Sequence, residues 1–501
     1  MELKFLCEAA GLICPDSLVG GEVGAICTDS RAVVENSLFV CIKGLHNDGH
    51  AMIFDAISRG ARWAVVQKGC DYSAPEGFPI LVAEDTRRAC ARLYNAYYGF
   101  PTERMKFIGV TGTNGKTSVT HLLLSILETS LCKCGLIGTV GCKSAGRPLE
   151  NRMFDHLANM TTPDPSELYR MLAEMASEGV EYVLMEATSH ALALGKLDPI
   201  EFEAAIFTNL TPDHLDFHGT MEAYARAKSE LFRKSKLSIV NSDDPAAEQM
   251  IRAGAGRVVT CSQTGLAADY TAKDIRDLGR NGVAYTICSE NSRLSLQCAI
   301  PGSFSVMNSM QAAICAKELG FGASAIKDAL ASVSGVRGRM ERLKLGPSAD
   351  FSVIIDYAHT PDALEKLLRT ARTFCRKDER VVIVFGCGGD RDRSKRPIMG
   401  AIASEYADEV IVTSDNSRSE DPAEIIREIL AGIDPTRPAR VIPDRATAIE
   451  TAILTARTGD VILLAGKGHE EYEITKEGRK PFSEREIVHR ALAAREKARR
   501  P

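Results

Sequence analysis

The sequence lacks an excess of basic residues, a long hydrophobic run and a signal-peptide pattern, and each absence excludes a class of protein. Its 61 Lys and Arg residues are outnumbered by 66 Asp and Glu, so the net charge is −5, and neither nucleic acid nor an anionic membrane is expected as a partner. No apolar run approaches the roughly 18 residues of a membrane-spanning helix. The first residues, MELKFLCEAAGLIC, contain no long apolar core or cleavage site. We therefore expect a cytoplasmic protein, in which small anions could still bind locally.

Paired cysteine motifs are also absent, although the chain has 15 cysteines. No CxxC pair occurs, so the spacing favours neither a zinc ribbon nor a disulfide framework. We interpret the cysteines as small hydrophobic residues in a reducing compartment. Hydrophobic residues make up 45% of the chain and charged residues 25%, as in ordinary globular proteins. At 501 residues the chain is too long for one core, and about three domains of ~150 residues are expected.

Alternating apolar strands and amphipathic helices run along the chain and predict an α/β fold in three domains. Residues 1–104 are predicted to form a smaller N-terminal α/β domain that ends at the helix-breaking segment GFPTER. Residues 105–338 contain a longer βαβ series, which favours a central P-loop-type parallel sheet, with added antiparallel strands at about residues 268–300. Residues 339–501 repeat the alternation and are predicted to form a Rossmann-like C-terminal domain.

The segment FIGVTGTNGKTSV, residues 107–119, predicts a phosphate-binding loop between a buried strand and a helix. Its glycines permit a tight turn that points backbone N–H groups and a helix N-terminus at an anion. Lys116 adds a positive charge, and Thr117 adds a hydroxyl ligand for Mg²⁺. The general pattern GxxxxGK[ST] requires glycine where Val110 stands, so the loop departs from an ordinary P-loop. The alternative interpretation is an ordinary strand-to-helix turn whose lysine is solvated. Such a turn would not require the strand, the turn, the Lys-Thr pair and the helix to occur together.

Further motifs follow this loop in an order that resembles the ATP-dependent Mur ligases of peptidoglycan synthesis. They are EATSH at residues 186–190, FTNLTPDHLDFHG at 207–219, YARAK ending at Lys228, DYAHTPDAL from Asp356 and GKGHE from Gly466. The resemblance extends over nearly the whole chain, and this family uses GTNGK[ST] in place of the general pattern. It implies that ATP phosphorylates a substrate carboxylate, and that an amino group then attacks the acyl phosphate to give an amide, ADP and phosphate.

The same resemblance assigns ATP, Mg²⁺ and the residues that bind them. The expected ATP-binding residues are Gly112, Thr113, Asn114, Gly115, Lys116, Thr117, Ser118, Asn308, Arg339 and Asp356. The expected catalytic residues are Lys116, Glu186, His214 and Lys228. Glu186, His214 and Lys228 are expected to hold Mg²⁺ together with Thr117. Lys228 would do so as a carbamate, which requires a lowered lysine pKa. His359 is expected to approach ATP beside Asp356 when the domains close.

Several of these residues also have a structural interpretation. Glu186 ends an apolar strand and could cap the next helix, and Asn308 could cap a helix as well. Lys228 lies in an amphipathic pattern where a solvated lysine is common. His214 and His218 form an i, i+4 pair, but the glutamate of HExxH is missing, so zinc is not expected. We interpret His218 as structural.

The resemblance is most specific for the ligases that extend UDP-N-acetylmuramoyl-L-alanyl-D-glutamate by a third amino acid. It rests on TDSR near Ser30, TTPDP at residues 161–165 and GCGGDRD at residues 386–392. It implies that the UDP-linked substrate contacts Ser30, His46, Asn47, Thr161, Thr162, Ser189 and Lys196. Leu194 stands where glutamine is usual and Lys196 where arginine is usual, and lysine lacks the paired hydrogen bonds of a guanidinium.

The segment DNSR at residues 415–418 is expected to select meso-diaminopimelate as the incoming amino acid. This amino acid has a second carboxylate at its far end, which the guanidinium of Arg418 can bind with two hydrogen bonds. Family members that add diaminopimelate typically carry DNPR, so Ser417 stands where proline is usual. Members that add lysine lack the arginine. The expected amino-acid-binding residues are Arg391, Asp415, Asn416, Ser417, Arg418, Gly466 and Glu470. Glu470 is expected to receive the distal ammonium group.

Four alternatives remain open at this point. The chain could add L-lysine at the same step, or it could be a folylpolyglutamate synthase-like ligase, which shares the phosphate loop but does not account for DNSR with GKGHE. A P-loop small-molecule kinase would stop at a phosphorylated product. A nucleotide-switched binding protein would use the loop only to order its domains. For the ligase we expect a monomer whose partners are its small-molecule substrates, with no nucleic acid and no membrane.

Overall fold

The computed structural model describes residues 1–44, 47–150, 160–333, 335–346, 349–376, 378–437 and 439–499. Within these ranges the chain forms three mainly parallel sheets covered by helices and one two-stranded hairpin. The α/β prediction is confirmed. No helix in the described ranges is long and apolar enough to cross a bilayer.

The first sheet has four parallel strands in the order β1-β2-β3-β4. Its elements are α1 Leu3–Ala10, β1 Ala25–Cys27, β2 Ser37–Val40, α2 Ile53–Ser58, β3 Ala61–Gln67, β4 Ile80–Ala83 and α3 Thr86–Tyr97. The apolar runs SLFV, RWAVVQ and ILVA form the strands that their composition predicts. A short turn of helix at Pro101–Glu103 follows, inside the GFPTER segment.

The central sheet has eleven strands in the order β15-β14-β13-β12-β11-β10-β5-β9-β6-β7-β8. Its elements are β5 Lys106–Thr111, α4 Lys116–Thr129, β6 Cys134–Gly138, β7 Gly141–Ser144, β8 Arg147–Leu149, α5 Pro165–Ser177, β9 Tyr182–Glu186, α6 Ser189–Ala193, β10 Phe202–Phe207, α7 Leu215–His218, α8 Met221–Arg233, β11 Ser235–Asn241, α9 Ala247–Ala253, β12 Arg257–Ser262, β13 Tyr270–Asp277, β14 Val283–Ser289, β15 Ser292–Cys298, α10 Phe304–Glu318 and α11 Ala323–Ser332. The strands from β13 to β6 are parallel to their neighbours, and β14 and β15 add the expected antiparallel edge. The antiparallel β7 and β8 at the other edge were not predicted.

The third sheet has six strands in the order β16-β17-β21-β18-β19-β20, all parallel except the short β16. Its elements are β16 Glu341–Arg342, β17 Ser352–Asp356, α12 Pro361–Phe374, β18 Val381–Phe385, α13 Lys395–Tyr406, β19 Glu409–Val412, α14 Pro422–Leu430, β20 Arg440–Val441, α15 Arg445–Leu454 and β21 Val461–Ala465, followed by the hairpin β22 Tyr472–Thr475 and β23 Gly478–Pro481 and by α16 Glu484–Arg499. Each sheet falls within one predicted region of the chain. The exact domain boundaries stay a prediction.

Candidate residues lie where the parallel strands end. Strands β9 and β21 are buried at every position, as expected for strands covered on both faces. The phosphate loop follows β5, and the segments after β17, β18, β19 and β21 all leave the same edge of the third sheet. In open α/β sheets this carboxyl edge is where ligands bind.

Candidate active site

The phosphate loop makes a tight turn that only glycine permits. Gly112 has φ +146° and Gly115 has φ +86°, and α4 begins directly after Gly115. A Cβ atom on Gly112 would overlap the Thr208 hydroxyl, and one on Gly115 would lie 2.7 Å from Asn308 Oδ1. The turn therefore presents backbone N–H groups and the start of α4 at the sheet edge, the arrangement that binds phosphate.

Two lysines converge on one carbonyl of this loop. Lys116 Nζ donates to the carbonyls of Gly112 (2.9 Å) and Thr113 (2.8 Å), and Lys228 Nζ donates to Gly112 at 2.8 Å. Lys228 is 1% exposed, which excludes a solvated lysine. Burial lowers the pKa of both amines, and repulsion from Lys116 lowers that of Lys228 further. The structure thus provides the lowered lysine pKa that a carbamate requires.

Glu186 is fully buried at the end of β9. Its carboxylate accepts hydrogen bonds from the Thr117 hydroxyl (3.0 Å), the Thr139 hydroxyl (2.9 Å) and the Thr139 backbone N–H (2.8 Å). It does not cap α6, because Thr188 performs that role. Thr117 and Glu186 are therefore brought together as predicted, and Thr139 is a partner that sequence reasoning missed.

His214 lies next to Tyr224, as Lys228 does. Its ring is 6.1 Å from the Tyr224 ring, and Lys228 Nζ is 4.4 Å from that same ring. Burial lowers the pKa of His214, although Asp213 opposes the effect, and this favours the neutral imidazole, the form that can accept a proton or bind a cation. His218 hydrogen-bonds Ser189, one of the predicted substrate residues, at 2.9 Å, and its structural interpretation stays a prediction.

The chemistry of these donors fits Mg²⁺ in part. The described residues contain no group of three or more His, Cys, Asp or Glu placed to hold a metal ion. The hydroxyl of Thr117 and carboxylate of Glu186 are hard oxygen donors that suit Mg²⁺. An ammonium at Lys228 would repel the ion, whereas a carbamate would add oxygen donors. The predicted metal set is chemically consistent only with carbamylated Lys228.

A cavity beside the loop collects the predicted ATP-binding side chains from distant parts of the chain. Its lining includes Asn114, Gly115, Thr117, Ser118, Asn308, Arg339 and Asp356, together with apolar Ile300, Phe304 and Leu367. Asn308 is the fifth residue of α10 and not its cap, which corrects the helix-start placement. Within the described part of the chain, Arg339 Nε is buried without a hydrogen-bond partner, and its guanidinium stacks 4.6 Å from the Tyr357 ring. An anionic ligand could satisfy this nitrogen.

The remaining ATP-binding candidates tie the loop to its surroundings. Thr113 Oγ1 lies 3.3 Å from the Tyr224 hydroxyl. Asp356 accepts hydrogen bonds from the backbone N–H groups of Met340 (2.7 Å) and Ala358 (2.8 Å), and burial raises its pKa. Its carboxylate therefore fixes the backbone on either side of the cavity.

A larger cleft of about 900 Å³ opens between the central sheet and the third sheet. Asp213 and His214 reach the cleft from the central sheet, whereas His359 and the predicted amino-acid-binding residues Arg391, Asp415, Asn416, Arg418, Gly466 and Glu470 reach it from the third sheet. Burial, followed by the nearby Lys395, lowers the pKa of His359 to about 4. Residues separated by about half of the chain thus face one space, which is large enough for a small substrate.

Within the cleft, the DNSR segment is held by hydrogen bonds to a backbone carbonyl and to the Glu470 carboxylate. Arg418 has φ +52° and donates to the Gly389 carbonyl at 2.7 Å. Asn416 donates to Glu470 Oε2 at 2.7 Å. Ser417 is buried and outside the cleft lining, whereas Arg391 is exposed at its mouth.

Two buried cations behind this wall were missed by sequence reasoning. Lys467 is fully buried and contacts Asn416 and Glu470. Arg445, 1% exposed, pairs with Glu484 at 2.7 Å and donates to the carbonyls of Ser414 and Ala465, just before Asp415 and Gly466. The only available sequence signal was a lysine between two glycines directly after an apolar strand.

The predicted UDP-substrate residues fall into two places. Ser30, Asn47 and Lys196 line a cleft of about 660 Å³ beside the first sheet, where Lys196 Nζ pairs with Asp164 at 2.6 Å. Thr161, Thr162 and Ser189 lie instead near Glu186: Thr162 donates to its backbone carbonyl at 2.8 Å, and Thr161 contacts Thr139. His46 lies outside the described residues.

Comparison with known proteins matches three family models to successive parts of the chain. The Mur ligase family catalytic domain matches residues 22–98, the Mur ligase middle domain matches residues 110–316, and the Mur ligase glutamate ligase domain matches residues 338–468. Solved structures show the same fold across the family. The MurF protein of Acinetobacter baumannii matches with a TM-score of 0.63 at 19% identity over 98% of this chain and 97% of its own. Folylpolyglutamate synthase of Mycobacterium tuberculosis matches with a TM-score of 0.61 at 17% identity, over 83% of this chain and 95% of its own.

Closer relatives share one name. The UDP-N-acetylmuramoyl-L-alanyl-D-glutamate--2,6-diaminopimelate ligase of Caldanaerobacter subterraneus is 42% identical over 95% of this chain and 96% of its own. That of Geobacillus thermodenitrificans is 41% identical over the same shares. A solved structure with this name matches with a TM-score of 0.68 at 31% identity, covering 99% of this chain and all of the other. The chain therefore belongs to the Mur ligase family.

Proposed function

We propose that this protein is an ATP-dependent, ADP-forming ligase that adds meso-diaminopimelate to UDP-N-acetylmuramoyl-L-alanyl-D-glutamate. Its relatives at about 40% identity have the name of that ligase. The observation that carries the proposal is the cleft in which His214 faces Arg391, Asp415, Arg418 and Glu470. This cleft offers both cations and carboxylates to an amino acid that has charged groups at both ends.

In the first step the substrate carboxylate attacks the γ-phosphate of ATP, forming an acyl phosphate and ADP. The phosphate loop, from Gly112 to Ser118, is proposed to bind the triphosphate through its backbone N–H groups and through Lys116. The Lys116 amine would break its hydrogen bond to the Gly112 carbonyl and donate to the phosphates instead. Asn308, Arg339 and Asp356 would hold the rest of the nucleotide in the adjoining cavity. The unpaired Arg339 Nε supports this assignment.

Mg²⁺ would supply positive charge that offsets the charge developing on the transferred phosphoryl group. Thr117, Glu186, His214 and carbamylated Lys228 are the residues proposed to hold it. Glu186 would have to exchange its hydrogen bonds from Thr117 and Thr139 for this task. The carbamate at Lys228 is proposed because its burial favours the neutral amine, which is the form that reacts with CO₂.

In the second step the amino group of diaminopimelate attacks the acyl carbon, and phosphate leaves. Arg391, Asp415, Asn416, Ser417, Arg418, Gly466 and Glu470 are proposed to orient the amino acid. Arg418 would bind the distal carboxylate and Glu470 the distal ammonium group. Holding the two reactants in one cleft replaces a collision in solution by an oriented attack.

The three parts of the chain would divide these tasks. Residues 1–104 are proposed to bind the UDP end through Ser30, His46 and Asn47, with Lys196 closing the same cleft. Residues 105–338 would bind ATP together with Arg339 and Asp356 of the next region, and Thr161, Thr162 and Ser189 would hold the peptide end near Glu186. Residues 339–501 would bind diaminopimelate. The proposal includes a monomer in the cytoplasm, where ATP is available.

Phosphate release tests this proposal. With ATP, Mg²⁺ and the UDP-linked dipeptide, meso-diaminopimelate should stimulate release strongly and L-lysine weakly. Arg418→Ala should lower kcat/KM for diaminopimelate by about 100-fold, because a charge-assisted pair of hydrogen bonds is lost. Arg427→Ala, which removes an exposed arginine paired with Glu424 on α14, is the matched control and should be unchanged.

The alternatives predict different results. Preference for lysine would retain the ligase and refute the selectivity of Arg418. Phosphorylated dipeptide without dependence on an amine would indicate a kinase, and folate-dependent turnover would indicate a folylpolyglutamate synthase. Nucleotide binding without any turnover would indicate a switched binding protein.

A further inference from the structure

Lys467 is a buried cation at the back of the amino-acid cleft. It follows β21 between Gly466 and Gly468, both of which have positive φ, and its side chain is fully buried. Burying an ammonium group costs several kcal/mol unless charges and hydrogen bonds compensate for it. The compensating groups therefore indicate what this lysine is for.

Three of those groups belong to the predicted amino-acid site. Lys467 Nζ donates to Asn416 Oδ1 at 2.9 Å and to the Tyr472 carbonyl at 2.9 Å, and it lies 3.8 Å from Asp415 Oδ1 and 3.9 Å from Glu470 Oε2. The Asn416 amide is held at both ends, because its oxygen also accepts from the Ile474 N–H (2.9 Å) and its nitrogen donates to Glu470. Lys467 thus fixes which way that amide points.

Lys467 also sets the charge balance of the cleft. Asp415 and Glu470 are two carboxylates close to each other, and Glu470 has a raised pKa because of burial and the Asp415 charge. Two cations that are not already neutralised stand against them inside the cleft, Lys467 and Arg418. Arg445 is paired with Glu484, and Arg391 is exposed at the mouth of the cleft, where solvent screens its charge. The distal end of diaminopimelate carries one ammonium and one carboxylate and is neutral overall, so it matches a balanced site. The distal end of lysine carries only an ammonium, and it matches a site with one excess negative charge.

We propose that Lys467 is the internal counter-ion of Asp415 and Glu470, a positioning residue that makes the site select a zwitterionic side chain over a cationic one. This inference deepens the proposed function and rests on it. Lys467 needs no contact with the substrate to act in this way. It neutralises one carboxylate, and it leaves Arg418 available for the distal carboxylate of the amino acid.

The test measures kcat/KM for meso-diaminopimelate and for L-lysine in the parent protein and in Lys467→Met. The ratio of kcat/KM for meso-diaminopimelate to kcat/KM for L-lysine should fall at least about tenfold in the variant, because an uncompensated carboxylate favours the cationic side chain. KM for ATP should stay unchanged. Lys480→Met removes an exposed lysine, paired with Glu477 on the neighbouring hairpin, and should leave the ratio as it is.

A double variant separates charge balance from general damage. Lys467→Met with Glu470→Gln removes one charge of each sign, so the ratio should return toward that of the parent even where the absolute rates stay low. Equal losses for both amino acids in Lys467→Met, or no recovery in the double variant, would overturn the inference.

Two outcomes keep the test decisive. If Lys467→Met does not fold, Glu470→Gln alone shifts the balance in the opposite direction and should raise the ratio; an unchanged ratio would refute the inference. If the parent itself shows no amine-dependent phosphate release, the proposed function fails, whereas an active parent with an unaltered ratio in Lys467→Met refutes only the role of Lys467.

Discussion

At the scale of single residues, the site is dominated by charges that burial has perturbed. Sequence reasoning identified Lys116, Glu186 and Lys228 through their motifs, and the structure brings all three to the phosphate loop. The sequence prediction gave no weight to Lys467 or Arg445. A buried cation can be identified only from the residues that contact it, and most of these are distant in sequence. Patterns along the chain indicate which face of a helix or strand a residue occupies, but they do not indicate which charged side chain contacts that residue in the folded protein.

Lys228 should show a conflict between activity and stability. Burial, followed by repulsion from Lys116, lowers its pKa well below the ordinary ~10.4. The unfolded chain therefore binds this proton more tightly than the folded chain. The resulting loss of stability is fully present below the lowered folded-state pKa, and it disappears as pH rises toward ~10.4. Lys228→Met should release phosphate about 100-fold more slowly, yet melt at a higher temperature at neutral pH.

The measurement is the difference in melting temperature between Lys228→Met and the parent from pH 7 to pH 10, in buffer depleted of CO₂. The difference should shrink as pH rises. Lys236→Met, which removes a lysine 73% exposed and paired with Glu203, should show no such trend. A parent that remained the more stable protein at every pH would contradict the prediction.

At the scale of elements, the sequence predicted most strands and the loops that follow them. Largely apolar runs gave β2, β3, β5, β9 and β21, because strands covered on both faces need apolar residues at most positions. Polar edge hairpins such as β7–β8 and β22–β23 lack this signal. Asn308 was considered as a helix cap, but α10 begins at Phe304, directly after Pro301-Gly302-Ser303, and these turn residues were the local signal that the prediction overlooked.

Gly466 shows how the end of a strand can define a site. It follows β21 with φ +111°, and a Cβ atom there would overlap Asp415 Oδ2. Gly466→Ala should therefore raise KM for diaminopimelate about tenfold and cost about 1–3 kcal/mol of stability. Gly478→Ala is the matched control, because Gly478 has φ +114° and open space around it. That variant should lose stability through backbone strain alone and keep its KM, and equal changes in KM for both variants would refute the steric argument.

At the scale of the whole molecule, the phosphate loop contacts the third sheet's first helix directly. Asn114 Nδ2 donates to Asp362 Oδ2 at 2.9 Å, although the two residues are 248 positions apart. Asp362 also pairs with Lys366, which lines the same cavity as the loop. The sequence predicted that both segments approach ATP, but it contained no signal that these two side chains meet. We expect this hydrogen bond to hold His359 and the amino-acid cleft in register with the phosphates.

Asp362→Ala should consequently lower kcat about tenfold with a smaller change in KM for ATP, because a slight displacement of α12 misaligns the reacting groups. Glu365→Ala provides a close control. Glu365 lies on the same helix and forms the same type of i, i+4 ion pair, with Arg369 at 2.8 Å, so its loss costs a similar small amount of helix stability. Steady-state phosphate release should be normal in Glu365→Ala and close to normal in Asp362→Asn, whose side-chain oxygen can still accept from Asn114. If Asp362→Ala and Glu365→Ala are equally active, the contact between loop and helix does not align the site, and the alignment must come from the Asp356 backbone contacts instead.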